Sequence, residues 1–262
     1  MIPERFFKIL KTSECQTHSY FPATEVFNEG WMLRLVLDAI QTLGISGHPF
    51  SFLENADWYS EARLESPFRP RFKADRFGEG PTNADGVIGH YKFDSKTKSR
   101  LCLQKAARQF VVIEAKMFSR LSSGIRNAPN YNQAARNIAC MAQVLHKGGV
   151  APDTFGSVGF FVVAPGLDRH GRPNAGMASY LEPDSICSAI HQRIAEYESA
   201  ARSEAAELRQ WESAYFLPLL NYLCRHECLR LVYWEDCIQA IYRRDPEAGR
   251  EIDRFYQICR TA

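Results

Sequence analysis

Two charged residues interrupt the apolar run Phe110-Val111-Val112-Ile113-Glu114-Ala115-Lys116-Met117. Read as a strand with period-two alternation, the run places Glu114 and Lys116 side by side on one face, and Ile113, Ala115 and Met117 on the other. Charges set into an interior strand are costly unless they pair, meet water in a cleft, or hold an ion. Asp85 lies in the strand-like stretch Asp85-Gly86-Val87-Ile88-Gly89-His90-Tyr91, and antiparallel pairing of the two strands would bring its carboxylate beside that of Glu114. Two adjacent anions repel, whereas a divalent cation between them makes both favourable. Hard oxygen donors of this kind suit Mg²⁺ or Mn²⁺, with Mg²⁺ bound at about 2.0–2.1 Å and keeping several waters. The competing reading is a buried Glu114–Lys116 ion pair beside an unrelated surface aspartate.

The pattern acid-x-Lys says little without this context. Asp94-Ser95-Lys96 has the same form, but it lies in a hydrophilic stretch that reads as a solvated loop. The elements that must position the trio can be read from periodicity. Met32, Leu35, Val36, Ala39, Ile40 and Leu43 trace one face of an amphipathic helix ending near Gly44. Residues 55–83, rich in Pro, Gly and charge, read as an irregular connection or insertion. Strands are expected from Asp85 and over Gln109 to Met117, followed by a helix between Pro129 and His146 with Pro129 in its first turn. The run Val158-Gly159-Phe160-Phe161-Val162-Val163-Ala164 is apolar on both faces, as an interior parallel strand is, so strand, helix and strand form a βαβ crossover. Beyond it, a long amphipathic helix capped at Asp184-Ser185 and interrupted at Pro218 precedes a strand over Leu229 to Trp234. A short final helix begins at Asp245-Pro246.

With 262 residues, 45% of them hydrophobic and 24% charged, the chain is neither collagenous nor disordered, and it can bury one sizeable core. Lys+Arg total 32 against 30 Asp+Glu, which excludes a surface coated all over in positive charge. Charge is local instead. Between His90 and Gln109 stand Lys92, Lys96, Lys98, Arg100, Lys105 and Arg108 against the single acid Asp94. Arg120 and Arg126 follow in a Ser/Gly-rich loop, and Arg169, His170 and Arg172 in the loop after the last core strand. Such residues bind phosphates with salt-sensitive affinity, or are simply solvated. The start of the chain lacks a signal-like apolar region, and the apolar run 158–165 is far short of the ~20 residues that span a bilayer, so a cytoplasmic protein without a membrane partner is expected. Eight cysteines form no C-x-x-C pair. Cys224, His226, Cys228 and Cys237 straddle a helix-to-strand junction that would separate them. Walker A and G-x-G-x-x-G loops are absent.

Asp85 on one strand and Glu114-Ala115-Lys116 on the next resemble the PD-(D/E)xK nuclease superfamily, and the element order fits its α-β-β-β-α-β core if one early strand is hidden before Asp85. Ala84 stands where that motif has Pro. The resemblance covers about Asn28 to Pro165. It implies an α/β fold of restriction-endonuclease-like type, a mixed central sheet flanked by helices; residues 1–183 are then read as the core, and the helical periodicity of 184–262 as a mainly helical extension packed on it. It further implies Asp85 and Glu114 as metal ligands, with the carbonyl of Ala115 adding a third, and Lys116 as the lysine that positions the attacking water. Glu29 on the first helix is the candidate for a further acid reaching the metal, although after Asn28 it equally suits the helix dipole. Gln133 fits the glutamine that exonuclease-type members carry on the helix after the motif strand. The implied activity is Mg²⁺- or Mn²⁺-dependent phosphodiester hydrolysis, on DNA rather than RNA, in restriction, repair or mobile-element and phage defence, as a homo-oligomer or within a larger complex. A non-cleaving nucleic-acid-binding or assembly module of the same fold is the alternative.

Overall fold

The computed structural model describes residues 2–12, 22–94, 100–124 and 128–261. In chain order it contains α1 (Ile2–Thr12), α2 (Glu29–Thr42), β1 (Asp57–Leu64), β2 (Thr82–Gly89), β3 (Tyr91–Phe93), β4 (Leu101–Leu103), β5 (Gln109–Ala115), α3 (Gln133–Gly148) and β6 (Ser157–Ala164). There follow α4 (Pro183–Ser199), α5 (Ala205–Trp211), α6 (Leu217–Arg225), β7 (Leu229–Tyr233), α7 (Trp234–Arg244) and α8 (Pro246–Thr261). Five strands form one mixed sheet in the order β1-β2-β5-β6-β7, antiparallel on the β1 side and parallel from β5 to β7, while β3 and β4 form a separate hairpin. Helices cover both faces, so the protein is α/β.

Every residue of β5 is buried, as expected of a strand with neighbours on both edges and helices on both faces. Phe110, Val112, Phe160 and Val162 pack toward α3 and α4, whereas Val111, Ile113, Phe161 and Val163 pack toward α2, α7 and α8. The expected βαβ crossover is present, with β5 and β6 parallel and α3 between them.

Several elements differ from the sequence expectation. The stretch read as irregular contains β1. As an edge strand it exposes Asp57, Tyr59, Glu61 and Arg63, and Glu61 sits at a positive φ of 60°, so the apolar alternation is too weak to read. Helix α3 starts four residues after Pro129, because Asn132 caps it by accepting a 2.8 Å hydrogen bond from the Ala135 N–H. Helix α4 begins at Pro183, one residue before the expected Asp184 cap, and the long helix expected beyond it is divided at residues 200–204 as well as by the π-helical turn Glu212–Phe216. Strand β7 joins the main sheet, and α8 runs for 16 residues. Among the described residues, no helix is long and apolar enough to cross a membrane.

Candidate active site

The site forms where β2 parts from β5. Their ladder runs from Gly89↔Phe110 to Gly86↔Ile113 and stops there. Gly86 lets α2 press close: a Cβ at that position would come within 2.9 Å of Leu33 Cδ2 and 3.3 Å of Leu37 Cδ1. One residue further out, the side chain of Asp85 replaces the missing backbone partner, its Oδ2 accepting a 2.7 Å hydrogen bond from the Ala115 N–H. The carbonyl of Ala115 lies on the same strand edge as its N–H, facing the gap, because both backbone groups of a strand residue point to one side.

Glu114 is only 2% exposed, a burial that demands partners. Its Oε1 accepts from Lys116 Nζ at 2.6 Å and from Gln133 Nε2, and its Oε2 accepts from Asn137 Nδ2 at 3.1 Å. Gln133 also clamps the loop after β5, accepting from the Ser122 N–H at 3.1 Å while its own N–H donates to the Ser122 carbonyl at 2.9 Å. Burial, and next the charge of Glu114, push the Asp85 carboxyl up to about 7, against the opposing pull of the Ala115 N–H and Lys116. The expected set Asp85, Glu114, Ala115, Lys116 and Gln133 is therefore gathered in one place.

The end of β5 is held from below as well. Lys116 N–H donates to the Val163 carbonyl at 2.8 Å. In that parallel register the next donor owed to the Lys116 carbonyl would be the N–H of residue 165, and Pro165 has none. The buried Trp234 indole fills the vacancy, Nε1 donating to the Lys116 carbonyl at 2.9 Å.

The remaining expected residues are placed as follows. Glu29 opens α2 behind the Asn28 cap, which accepts from the Trp31 N–H at 3.0 Å. No hydrogen bond or ion pair joins Glu29 to Asp85 or Glu114; it lies within electrostatic reach of Cys259, whose thiol burial and then the Glu29 charge raise to about 12. Arg100 is ion-paired with Asp94 and, at 3.3 Å, with Glu65. Arg172 is paired with Asp168 at 2.8 Å. Lys92 and Arg120 are exposed, and Lys96, Lys98 and Arg126 lie outside the described residues. Sequence reasoning missed Asn137, although it sits four positions after Gln133 on the same helical face. It also missed Glu61, which stands opposite Asp85 between the pairs Ser60↔Gly86 and Ala62↔Ala84. Burial, then the charge of Asp85, raises the Glu61 pKa, while Arg34 lowers it.

Among the described residues no three His, Cys, Asp or Glu side chains are grouped to hold a metal ion, the stretch from Cys224 to Cys237 included. A divalent ion here would thus take two carboxylates and the Ala115 carbonyl. That donor set fits Mg²⁺, which binds through one or two carboxylates and retains waters. Burial, and next the charge of Glu114, raise the Asp85 pKa, and a cation bound between the two carboxylates would oppose that shift. No family model, curated protein or solved structure matches this chain.

Proposed function

We propose that this protein is a metal-dependent nuclease of restriction-endonuclease-like fold that hydrolyses phosphodiester bonds, with DNA the favoured substrate by family resemblance. The observation that carries this reading is the convergence of Asp85, Glu114 and Lys116, from two strands, at the point where the strands separate. Asp85, Glu114 and the Ala115 carbonyl would hold the ion. Bound there, Mg²⁺ or Mn²⁺ would supply Lewis acidity toward the phosphate and the attacking water. Lys116 Nζ, hydrogen-bonded to Glu114, orients the nucleophile and neutralises charge building on the phosphoryl oxygens. Gln133 and Asn137 fix both oxygens of Glu114, and the Ala115 N–H fixes Asp85 through Oδ2.

The test is incubation with linear, circular and single-stranded DNA and with RNA, in Mg²⁺, Mn²⁺ or EDTA. Wild type should cleave only with metal, and Asp85→Ala and Lys116→Ala should each lose at least about 100-fold in rate. Cleavage that persists in EDTA or survives both substitutions defeats the proposal. One observation favours the second reading, a non-cleaving binding module: the Glu114–Lys116 pair is internally satisfied. Binding without cleavage in every metal would decide for it.

A further inference from the structure

Strands β5 and β6 are parallel neighbours, so the loops that follow them leave the sheet at the same end. Residues 118–120 of the first loop and 168–170, 172 and 174 of the second line a cavity of about 220 Å³. The second loop is built tightly around one carboxylate. Asp168 Oδ1 accepts from the N–H groups of His170 at 2.8 Å and Arg172 at 2.9 Å, and Oδ2 accepts from Arg172 Nε at 2.9 Å. Gly171 turns the chain at a φ of 72°, and the Asp168 N–H closes the loop on the Arg172 carbonyl at 2.8 Å. The charge of Arg172 is thereby cancelled. Arg169 and Arg120 keep theirs: neither has a carboxylate partner among the described residues, and the Arg169 guanidinium is pinned 4.2 Å from the Phe118 ring centroid. A guanidinium stacked on a ring still presents its N–H edge to an anion.

We infer that this cavity holds a non-scissile phosphate of the strand being cut, clamped between Arg120 and Arg169 with His170 at its rim. The inference rests on the proposed nuclease reading and adds where the substrate backbone runs. The volume is too small for a drug-sized ligand, which takes at least about 300 Å³, and suits a phosphate group open to solvent. Phe118 is two residues beyond Lys116, at most about 7 Å along the chain, so the clamped phosphate is a near neighbour of the scissile one. A backbone held here would pass the acids from the β5–β6 end of the sheet, not across the β3–β4 hairpin that carries Lys92.

Binding of a fluorescein-labelled 12-nucleotide single-stranded DNA is measured in EDTA, where no cleavage occurs, across a salt series. For Arg120→Ala/Arg169→Ala the affinity should fall about 10- to 100-fold at 100 mM salt, and the slope of log K against log salt should lessen by about 1–2. Arg120→Lys/Arg169→Lys should restore most of the slope and part of the affinity, with thermal melts confirming that all variants fold. Inorganic phosphate should compete only at millimolar concentration, as befits one contact of an extended ligand. Unchanged affinity and slope in the alanine variant overturn the inference, as does a larger loss from Lys92→Ala/Lys105→Ala. Micromolar competition by phosphate overturns it in favour of a closed anion site. The nuclease reading is separated by Mn²⁺ binding to the wild type: if Mn²⁺ fails to bind while the arginine effect persists, that reading falls and the clamp stands.

Discussion

Asp85 is the residue on which the candidate site turns, because burial and then the neighbouring Glu114 charge hold its carboxyl well above the ordinary carboxylate range. Its pKa moves from an ordinary 3.8 to about 7. Between those values the folded protein keeps a proton that the unfolded chain has released, so stability is full below about pH 4 and is lost as pH rises through 7. Thermal melts in EDTA should therefore show a Tm several degrees lower at pH 8 than at pH 5. Mg²⁺ or Mn²⁺ should raise Tm more at pH 8 than at pH 5, since a bound cation favours the anion. Asp85→Asn should flatten both dependences; if it leaves them intact, the strain lies elsewhere. Glu114 and Lys116 were legible in the sequence because charge inside an apolar strand is conspicuous, and Asp85 because antiparallel pairing of its strand with theirs would bring it beside Glu114. Asn137 and Glu61 were not: an amide on a helix and an acid on an exposed edge look ordinary until the sheet register brings them close. Arg100 and Arg172 show the reverse failure, since the loop folding that seats each on a carboxylate is not written in its apolar pattern.

At the scale of elements, β5, β6 and α2 were readable from apolar patterning, whereas β1 was hidden by its edge position and the positive φ at Glu61. The junction of the β5 end with α7 was equally hidden, because it depends on a residue missing a donor and another supplying one, far apart in sequence. Replacing Trp234 by Phe would leave the Lys116 carbonyl without its partner, at a cost of about 1–3 kcal/mol, read as a lower urea midpoint. Adding Pro165→Ala supplies an N–H that can continue the ladder to Lys116, and the double variant should recover part of the loss. A recovery no larger in the Trp234→Phe background than in wild type would show that the two positions do not share that carbonyl.

At the scale of the molecule, the mainly helical C-terminal third supplies one of the five strands and much of one core. Trp234, Ile238, Ile241 and Tyr256 pack in the same buried cluster as Met32, Leu33, Val36 and Ile40. Residues 1–183 expressed alone should consequently show no cooperative thermal transition and should bind ANS, whereas a sharp melt would establish that the remainder is dispensable. A sequence reading could place that third beside the core, but not inside the sheet, because a five-residue strand between helices carries too little pattern to reveal its neighbour. The indole that closes the β5 end has a further consequence. Its electronic transition is sensitive to the hydrogen bond at Nε1, and that bond ends on the carbonyl of the lysine beside the two acids. With Trp31, Trp58 and Trp211 replaced by Phe, fluorescence from the remaining ring would act as an optical gauge, registering any occupant that draws the lysine backbone from its resting place, before any chemistry occurs.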